Sequence, residues 1–215
     1  MRIRLNLKIF IFIIIFALTR QIKIYGILML FAFIHELGHM LIGILLGFKP
    51  EKLEIMPYGV SVGFKVKCED YNKKIGKGNL LSLKKLIIAM AGPFTNLIIT
   101  IIYLLCDMKF IGIERELVIY SNILIGIFNL IPIYPLDGGR IVKEILHIKV
   151  GLGKSYEYTN KISKITICIL TAVCSIVILY IKNIAILIIL VYLWYLTINE
   201  NKKYETKKLL CLKAE

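Results

Sequence analysis

A short charged motif lies inside an apolar stretch that is long enough to cross a membrane. Residues 24–47 are mostly apolar, and residues 35–39 within them read His-Glu-Leu-Gly-His. A helix of about 20 apolar residues spans a bilayer, whereas ionisable side chains at that depth cost free energy and mark functional sites. The combination indicates a membrane protein with a polar centre built into one of its spanning helices.

The spacing of the two histidines fits one metal ion. His35 and His39 are four residues apart, so they lie on the same face of a helix and both imidazoles can reach the same ion. Glu36 projects about 100° further around the helix, beside the metal but not bound to it. In zinc proteases a glutamate at that position is the general base for the attacking water.

Composition and charge define the class of protein. The 215 residues are 58% hydrophobic, and the mean hydropathy is +0.78, which favours a lipid bilayer over water as the solvent of the fold. The net charge of +14 does not indicate a nucleic-acid partner, because the lysines lie between apolar segments and no basic stretch alternates with aromatic residues. The five cysteines include no CxxC pair, so neither a disulfide framework nor a cysteine-type zinc site is expected.

The apolar segments predict about six transmembrane helices. Basic residues gather at the N-terminus, in residues 48–85 and 140–161, and in the C-terminal tail, so both termini are expected in the cytosol. The first segment is short for a span, and a signal peptide is the alternative reading, although no small-residue cleavage site follows it. The six segments are residues 9–19, 24–47, 86–106, 117–136, 162–181 and 183–198.

The polar region after the second segment has the alternation of a β-hairpin. Residues 51–67 alternate at period two on both sides of the turn at residues 57–59, and residues 70–79 then predict a polar, flexible loop. A hairpin at the membrane surface could bind an extended peptide along its exposed edge, or it could simply link two helices. The sequence leaves both roles open.

A catalytic zinc site needs a third protein ligand and an open position. Asp137 ends an apolar run, follows two prolines, and precedes Gly138 and Gly139. It could be that ligand, or it could cap the following helix. The topology favours the ligand role, because Asp137 and His39 both fall in the cytosolic half of segments that run inward. We interpret His147, the third histidine of the chain, as an exposed loop residue.

A third polar element lies in the segment at residues 86–106. The small residues of Ala91-Gly92-Pro93 permit close helix approach, and the Gly-Pro pair is expected to interrupt the helical hydrogen bonding. Asn96 places an amide in this apolar setting. It could bind a substrate or an oxyanion, or it could join two helices.

Together these elements resemble the site-2 protease family of intramembrane zinc metalloproteases. The resemblance covers about residues 24–145, which would be the catalytic core of a single integral-membrane metalloprotease domain over residues 1–200, followed by a short basic cytosolic tail at 201–215. It implies an α-helical polytopic membrane fold with a small membrane-associated β-hairpin, and one Zn²⁺ per chain. By this resemblance the ligands are His35, His39 and Asp137, and the catalytic base is Glu36. Asn129 or Asn96 could then contact the substrate or the oxyanion.

The resemblance also suggests a substrate. No PDZ domain fits between the motif segments, and this compact form is similar to sporulation members of the family. Such a relative removes the pro-sequence of a sporulation sigma factor, pro-sigma-K, in the mother-cell membrane around the forespore, under the control of inhibitory membrane proteins. The cytosolic CBS domain typical of that relative is not expected here. The alternatives are cleavage of a membrane anti-sigma factor or a signal-peptide remnant, or a non-catalytic metal-binding scaffold or transporter.

Overall fold

A computed structural model describes residues 2–5, 13–14, 17–18, 20–56, 59–65, 75–106, 112–181 and 184–212, and most of them are helical. The chain forms two compact units, Met1–Asn129 and Leu130–Glu215. The strands are β1 (Arg2–Leu5), β2 (Lys49–Met56) and β3 (Gly59–Lys65). The longer helices are α1 (Ile22–Leu45), α2 (Ile75–Leu105), α3 (Arg115–Leu130), α4 (Asp137–Val150), α5 (Leu152–Ile181) and α6 (Ile184–Leu212).

In the first unit, α1, α2 and α3 meet around an apolar cluster. Phe31 of α1, Tyr103 of α2 and Val118 of α3 are all buried, and neighbouring isoleucines pack against them. Each of these residues lies one or two turns from a buried polar residue on its own helix. The cluster therefore holds the three polar faces in fixed positions relative to one another.

Helix α2 differs from the sequence expectation in two respects. It continues through Pro93, so the expected interruption is limited to the one N–H group that proline lacks. It also begins at Ile75, so the loop predicted over residues 70–79 is wrong from residue 75 onward, where the chain is already helical. Residues 70–74 lie outside the described part of the chain.

The predicted β-hairpin is present as the antiparallel pair β2 and β3. Its register runs from Lys49 opposite Lys65 to Met56 opposite Gly59, with an irregularity between Pro50 and Lys52. The predicted turn falls mostly on residues 57–58, which are outside the described residues. Strand β1 adds to β2 in parallel, giving the sheet order β1-β2-β3.

In the second unit, α4, α5 and α6 follow a short non-helical segment. The chain leaves α3 at Leu130 and turns through residues 131–136 before α4 begins. The predicted apolar segment at residues 117–136 is thus broken after Leu130. Further along, the indole N–H of Trp194 on α6 donates to the Thr171 hydroxyl of α5 over 3.0 Å, which joins those two helices.

Among the described residues, three helical stretches are long and apolar enough to cross a membrane: Ile22–Leu45, Leu80–Leu105 and Leu152–Ile178. They coincide with three of the six predicted segments. Helix α3 has 16 residues, fewer than a perpendicular span requires. Most of the segment at residues 9–19 is outside the described residues. The count of six spans and the cytosolic position of both termini stay predictions.

Candidate metal centre

The two histidines of the motif are buried side by side on α1. Both side chains are 3% exposed, and their Nε2 atoms are 3.1 Å apart. Two nitrogens that bind one tetrahedral zinc ion at about 2.0–2.1 Å lie roughly 3.3–3.4 Å from each other. The observed spacing therefore suits a single ion that both rings share.

Helix α2 holds both rings from behind. The Nδ1 atom of His35 lies 2.5 Å from Oδ1 of Asn96, and Nδ1 of His39 lies 2.6 Å from the carbonyl oxygen of Ile88. Amide and carbonyl oxygens only accept hydrogen bonds, so these two contacts place the proton on Nδ1 of each ring. The backbone N–H of Gly92 also points at Nδ1 of His39, over the longer distance of 3.2 Å. Each Nε2 atom then keeps its lone pair for a metal, the arrangement that metal-binding histidines usually show.

Gly92 keeps the space beside the two Nε2 atoms free. A Cβ atom on this residue would lie 2.3 Å from Nε2 of His39 and 2.5 Å from Nε2 of His35. No side chain fits at those distances, so only glycine lets α2 approach the pair this closely. The place that a shared ion would need is therefore kept open by the backbone of α2.

Glu36 lies next to this pair in sequence but on a different face of α1. It is half-buried, and its Oε2 atom accepts a hydrogen bond from the backbone N–H of Val62 on β3 over 3.3 Å. A carboxylate has several acceptor sites, so this bond alone does not fill them. The base role of Glu36 stays a prediction.

The two predicted oxyanion residues make other contacts. Asn96 is 1% exposed; its oxygen accepts from His35, and its Nδ2 donates to Oδ1 of Asn122 over 2.9 Å. Asn96 therefore joins helices, which is one of the two roles left open. Asn129 is half-buried and donates to the Ile125 carbonyl of its own helix over 3.0 Å. The oxyanion roles of Asn96 and Asn129 stay predictions.

Asp137 is the first residue of α4 and is 4% exposed. The residue at the capping position is Leu136, so Asp137 lies one residue inside the helix and not at the cap that the alternative assigned to it. The helix dipole favours a carboxylate in the first turn, and Nη1 of Arg140 lies 3.6 Å from Oδ1 of Asp137.

A backbone turn and two glycines help to set the position of Asp137. The N–H of Leu136 donates to the carbonyl of Ile133 over 2.8 Å. A Cβ on Gly138 would lie 2.1 Å from the Leu130 carbonyl oxygen, and one on Gly139 would lie 2.3 Å from the Tyr134 nitrogen. The two glycines thus let the preceding turn pack directly on the first turn of α4.

Among the described residues, His35, His39 and Asp137 each offer one buried atom of a kind that binds metals, as the predicted ligand set requires. Two histidines and a carboxylate are a ligand set of catalytic zinc sites, with one position left for water or substrate. His147 lies on α4 and not in a loop, and its Nδ1 is 3.7 Å from Oε2 of Glu144.

Comparison with known proteins gives the family of the chain. The family model described as peptidase family M50 matches residues 24–113 and 115–173, which is more than half of the chain. The chain belongs to peptidase family M50.

Two curated relatives of this M50 peptidase are similar to it in sequence. It is 36% identical over 136 residues to a zinc metalloprotease of Methanocaldococcus jannaschii, covering 61% of this chain and 36% of the relative. It is 26% identical over 148 residues to stage IV sporulation protein FB of Bacillus subtilis, covering 68% of this chain and 48% of the relative. The M50 chain thus spans less than half the length of either curated relative.

A solved structure shares the fold of this M50 peptidase. The site-2 protease from Methanocaldococcus jannaschii superposes with a TM-score of 0.66 and 25% sequence identity, over 92% of this chain and 89% of that one. The family resemblance inferred from the motifs is confirmed by these matches.

Sequence reasoning missed two contributions to the centre of this M50 peptidase. Gly92 was interpreted as a small residue for close helix approach and as part of a helix interruption, but not as the residue that leaves room beside the histidines. Asn122 was not singled out, although it is 1% exposed and bonded to Asn96. A signal was present, because an amide in the apolar run of α3 needs a partner in the protein interior.

Proposed function

We propose that this M50 peptidase is a zinc-dependent intramembrane endopeptidase. The observation that carries the proposal is the pair of buried imidazoles, both held at Nδ1, whose Nε2 atoms face the space beside Gly92. His35, His39 and Asp137 would hold one zinc ion, and Glu36 would be the catalytic base. This donor set and the room beside it fit zinc and leave a position for the reacting molecule.

Each side chain has a distinct part in the proposed reaction. Zinc, when bound, supplies Lewis-acid polarisation of the scissile carbonyl and lowers the pKa of water. Glu36 accepts the proton of the attacking water and delivers it to the leaving amine as the peptide bond breaks. Asn129 would donate to the developing oxyanion, and one such donor is worth about 3 kcal/mol of transition-state stabilisation.

The substrate is proposed to be a membrane-associated protein bound in extended form. A helix hides its peptide bonds from attack, so the substrate must unwind locally, and the β2–β3 hairpin offers strand edges that could hold it extended. The likeness to stage IV sporulation protein FB supports a finer proposal, in which the substrate is pro-sigma-K and the enzyme removes its pro-sequence. In this proposal the enzyme lies in the mother-cell membrane with both termini in the cytosol, and inhibitory membrane proteins control it.

The first experiment separates metal binding from chemistry. Purified wild-type protein should contain one zinc per chain and cleave its substrate. Glu36→Gln should keep the zinc and lose cleavage, and Asp137→Ala should lose both. Glu157→Gln is the matched control, since Glu157 is exposed and pairs with Lys161 on the surface of α5, and it should change neither property.

Coexpression with candidate substrates tests the finer proposal. Cleavage of pro-sigma-K supports the sporulation assignment, whereas cleavage of a membrane anti-sigma factor or a signal-peptide remnant alone replaces it and keeps the endopeptidase. A Glu36→Gln protein that binds zinc and still cleaves would contradict the proposed mechanism. A zinc-loaded wild-type protein that cleaves none of these substrates would favour a metal-binding scaffold.

A further inference from the structure

We propose that Asn122 is a positioning residue for the zinc ligand His35 and acts on it through Asn96. The proposal rests on the proposed function, in which His35 binds zinc. It adds a third helix, α3, to the machinery that prepares the ligand. Nothing in the HExxH motif or in the sequence around it points to this residue.

The evidence is an unbroken line of hydrogen bonds across three helices. The Nδ1 of His35 on α1 contacts Oδ1 of Asn96 on α2 over 2.5 Å, and Nδ2 of Asn96 donates to Oδ1 of Asn122 on α3 over 2.9 Å. Nδ2 of Asn122 then donates to the backbone carbonyl of Val118 over 2.8 Å. All four residues are buried, with exposures of 3% or less, so solvent does not substitute for any of these bonds.

The last acceptor sets the direction of every bond before it. The Val118 carbonyl can only accept, so it must face the NH₂ group of Asn122. The oxygen of Asn122 is then turned toward Asn96 and binds the NH₂ group of that residue. The oxygen of Asn96 is in turn left facing His35, where it requires a proton on Nδ1. The lone pair of Nε2 is therefore available to a metal because of a carbonyl three contacts away.

His39 gives an internal reference for this effect. Its Nδ1 donates to the Ile88 carbonyl, a backbone oxygen of α2 that cannot turn around. The Gly92 N–H lies 3.2 Å from the same Nδ1, so both of these contacts come from backbone groups of α2 that hold fixed positions. The amide of Asn96 can instead rotate by 180° and present NH₂ in place of oxygen. At His35 the tautomer therefore depends on the orientation of the Asn96 amide, and Asn122 is the group that prevents its rotation.

The tautomer can be measured directly. The chain has three histidines, so ¹⁵N-histidine labelling of the full-length, metal-free protein gives few signals, and His147→Gln identifies one of them. In wild-type protein we expect His35 and His39 both to carry the proton on Nδ1. In Asn122→Leu, which has nearly the same shape but no amide, His35 should shift toward protonated Nε2 and His39 should not change.

Zinc affinity provides the second readout. Groups that hold a metal ligand from behind typically contribute tenfold to hundredfold to affinity, so Asn122→Leu should bind zinc about tenfold to hundredfold more weakly in competition with a chelator. Thr100→Val is the matched control. Thr100 is a buried residue of α2 whose hydroxyl donates to the Asn96 backbone carbonyl over 2.9 Å, and its loss leaves the line of amides intact.

The outcomes separate this proposal from the proposed function. Wild-type protein that binds no zinc overturns the proposed function, while the tautomer of His35 still tests the role of Asn122. Asn122→Leu with wild-type zinc affinity and an unchanged His35 tautomer overturns the positioning role alone. Equal losses in Asn122→Leu and Thr100→Val would show a general packing effect and overturn it as well. If Asn122→Leu does not fold, the wild-type protein alone provides the test. A proton on Nε2 of His35 in the wild-type protein would also overturn the positioning role of Asn122.

Discussion

The predicted metal ligands of the two units are positioned in different ways. In the first unit, the histidines lie in the middle of a long helix, and side chains and a carbonyl of other helices fix their orientation. In the second unit, Asp137 begins a helix, and its position follows from a tight backbone turn and two glycines. Ligands on a continuous helix need partners behind them, because the helix sets their position but not the orientation of their rings. A ligand at a helix start is positioned in large part by the backbone turn that precedes it.

The largest expected effect tests the open space in the first unit. Gly92→Ala would place a methyl group within 2.5 Å of both Nε2 atoms. We expect zinc affinity to fall by roughly 100-fold or more, beyond the range for residues that act from behind a ligand. Zinc competition with a chelator measures it. The control is Gly26→Ala on α1, where a Cβ meets nothing within 4 Å; zinc affinity unchanged in Gly92→Ala would contradict the assignment of this space to the metal.

The second prediction tests the backbone turn of the other unit. A Cβ on Gly138 would lie 2.1 Å from the Leu130 carbonyl oxygen, so Gly138→Ala forces the turn to move. Overpacking of this kind costs about 2 kcal/mol of unfolding free energy, and the altered turn should also weaken zinc binding through Asp137. Denaturant unfolding in detergent measures the first effect. Gly153→Ala, with nothing within 4 Å of the added Cβ, should change neither.

A smaller effect is expected where a side chain does support the turn. The hydroxyl oxygen of Ser163 on α5 accepts the Tyr134 N–H over 3.0 Å. Ser163→Ala leaves that donor without this acceptor and should cost about 1.5 kcal/mol of unfolding free energy. Ser175→Ala, which removes an exposed hydroxyl bonded within its own helix, is the comparison. Equal stability of the two variants would mean that the turn holds itself without α5.

The smallest effect should leave the centre untouched. Thr171→Val removes the hydroxyl that accepts from the Trp194 indole and should lower the unfolding free energy by about 1 kcal/mol. Zinc affinity should not change, since this contact lies away from the turn before Asp137. The single tryptophan of the chain makes its fluorescence a direct report. A loss of zinc affinity would show that α6 helps to position Asp137, in addition to the turn and the two glycines.

Some elements of the fold could be predicted because their signals are local. The four-residue spacing of His35 and His39 placed them on one face of a helix, and the structure buries both on α1. Period-two alternation predicted the β2–β3 hairpin. Prolines and glycines predicted a break before Asp137, and the chain turns at residues 131–136. In each case a few neighbouring residues carry the information.

Other features could not be predicted, because they depend on which elements meet. Pro93 suggested an interrupted helix, yet α2 continues, since a helix tolerates the loss of one N–H group when its neighbours support it. Nothing near Asn122 in sequence reveals that its partner is Asn96, which belongs to another helix. The polar residues before the apolar segment gave no sign that α2 begins as early as Ile75.

The amino-acid sequence by itself determined the helical periodicity, the motif that pairs two imidazoles with a carboxylate, and the membrane-like composition, because these are properties of neighbouring residues along the chain. Tertiary structure alone decided which nitrogen of each imidazole stays available, and that the missing side chain of Gly92 leaves room beside them. Those outcomes depend on contacts between helices that are far apart in sequence, and hydrogen bonds between buried groups form only once the helices have packed.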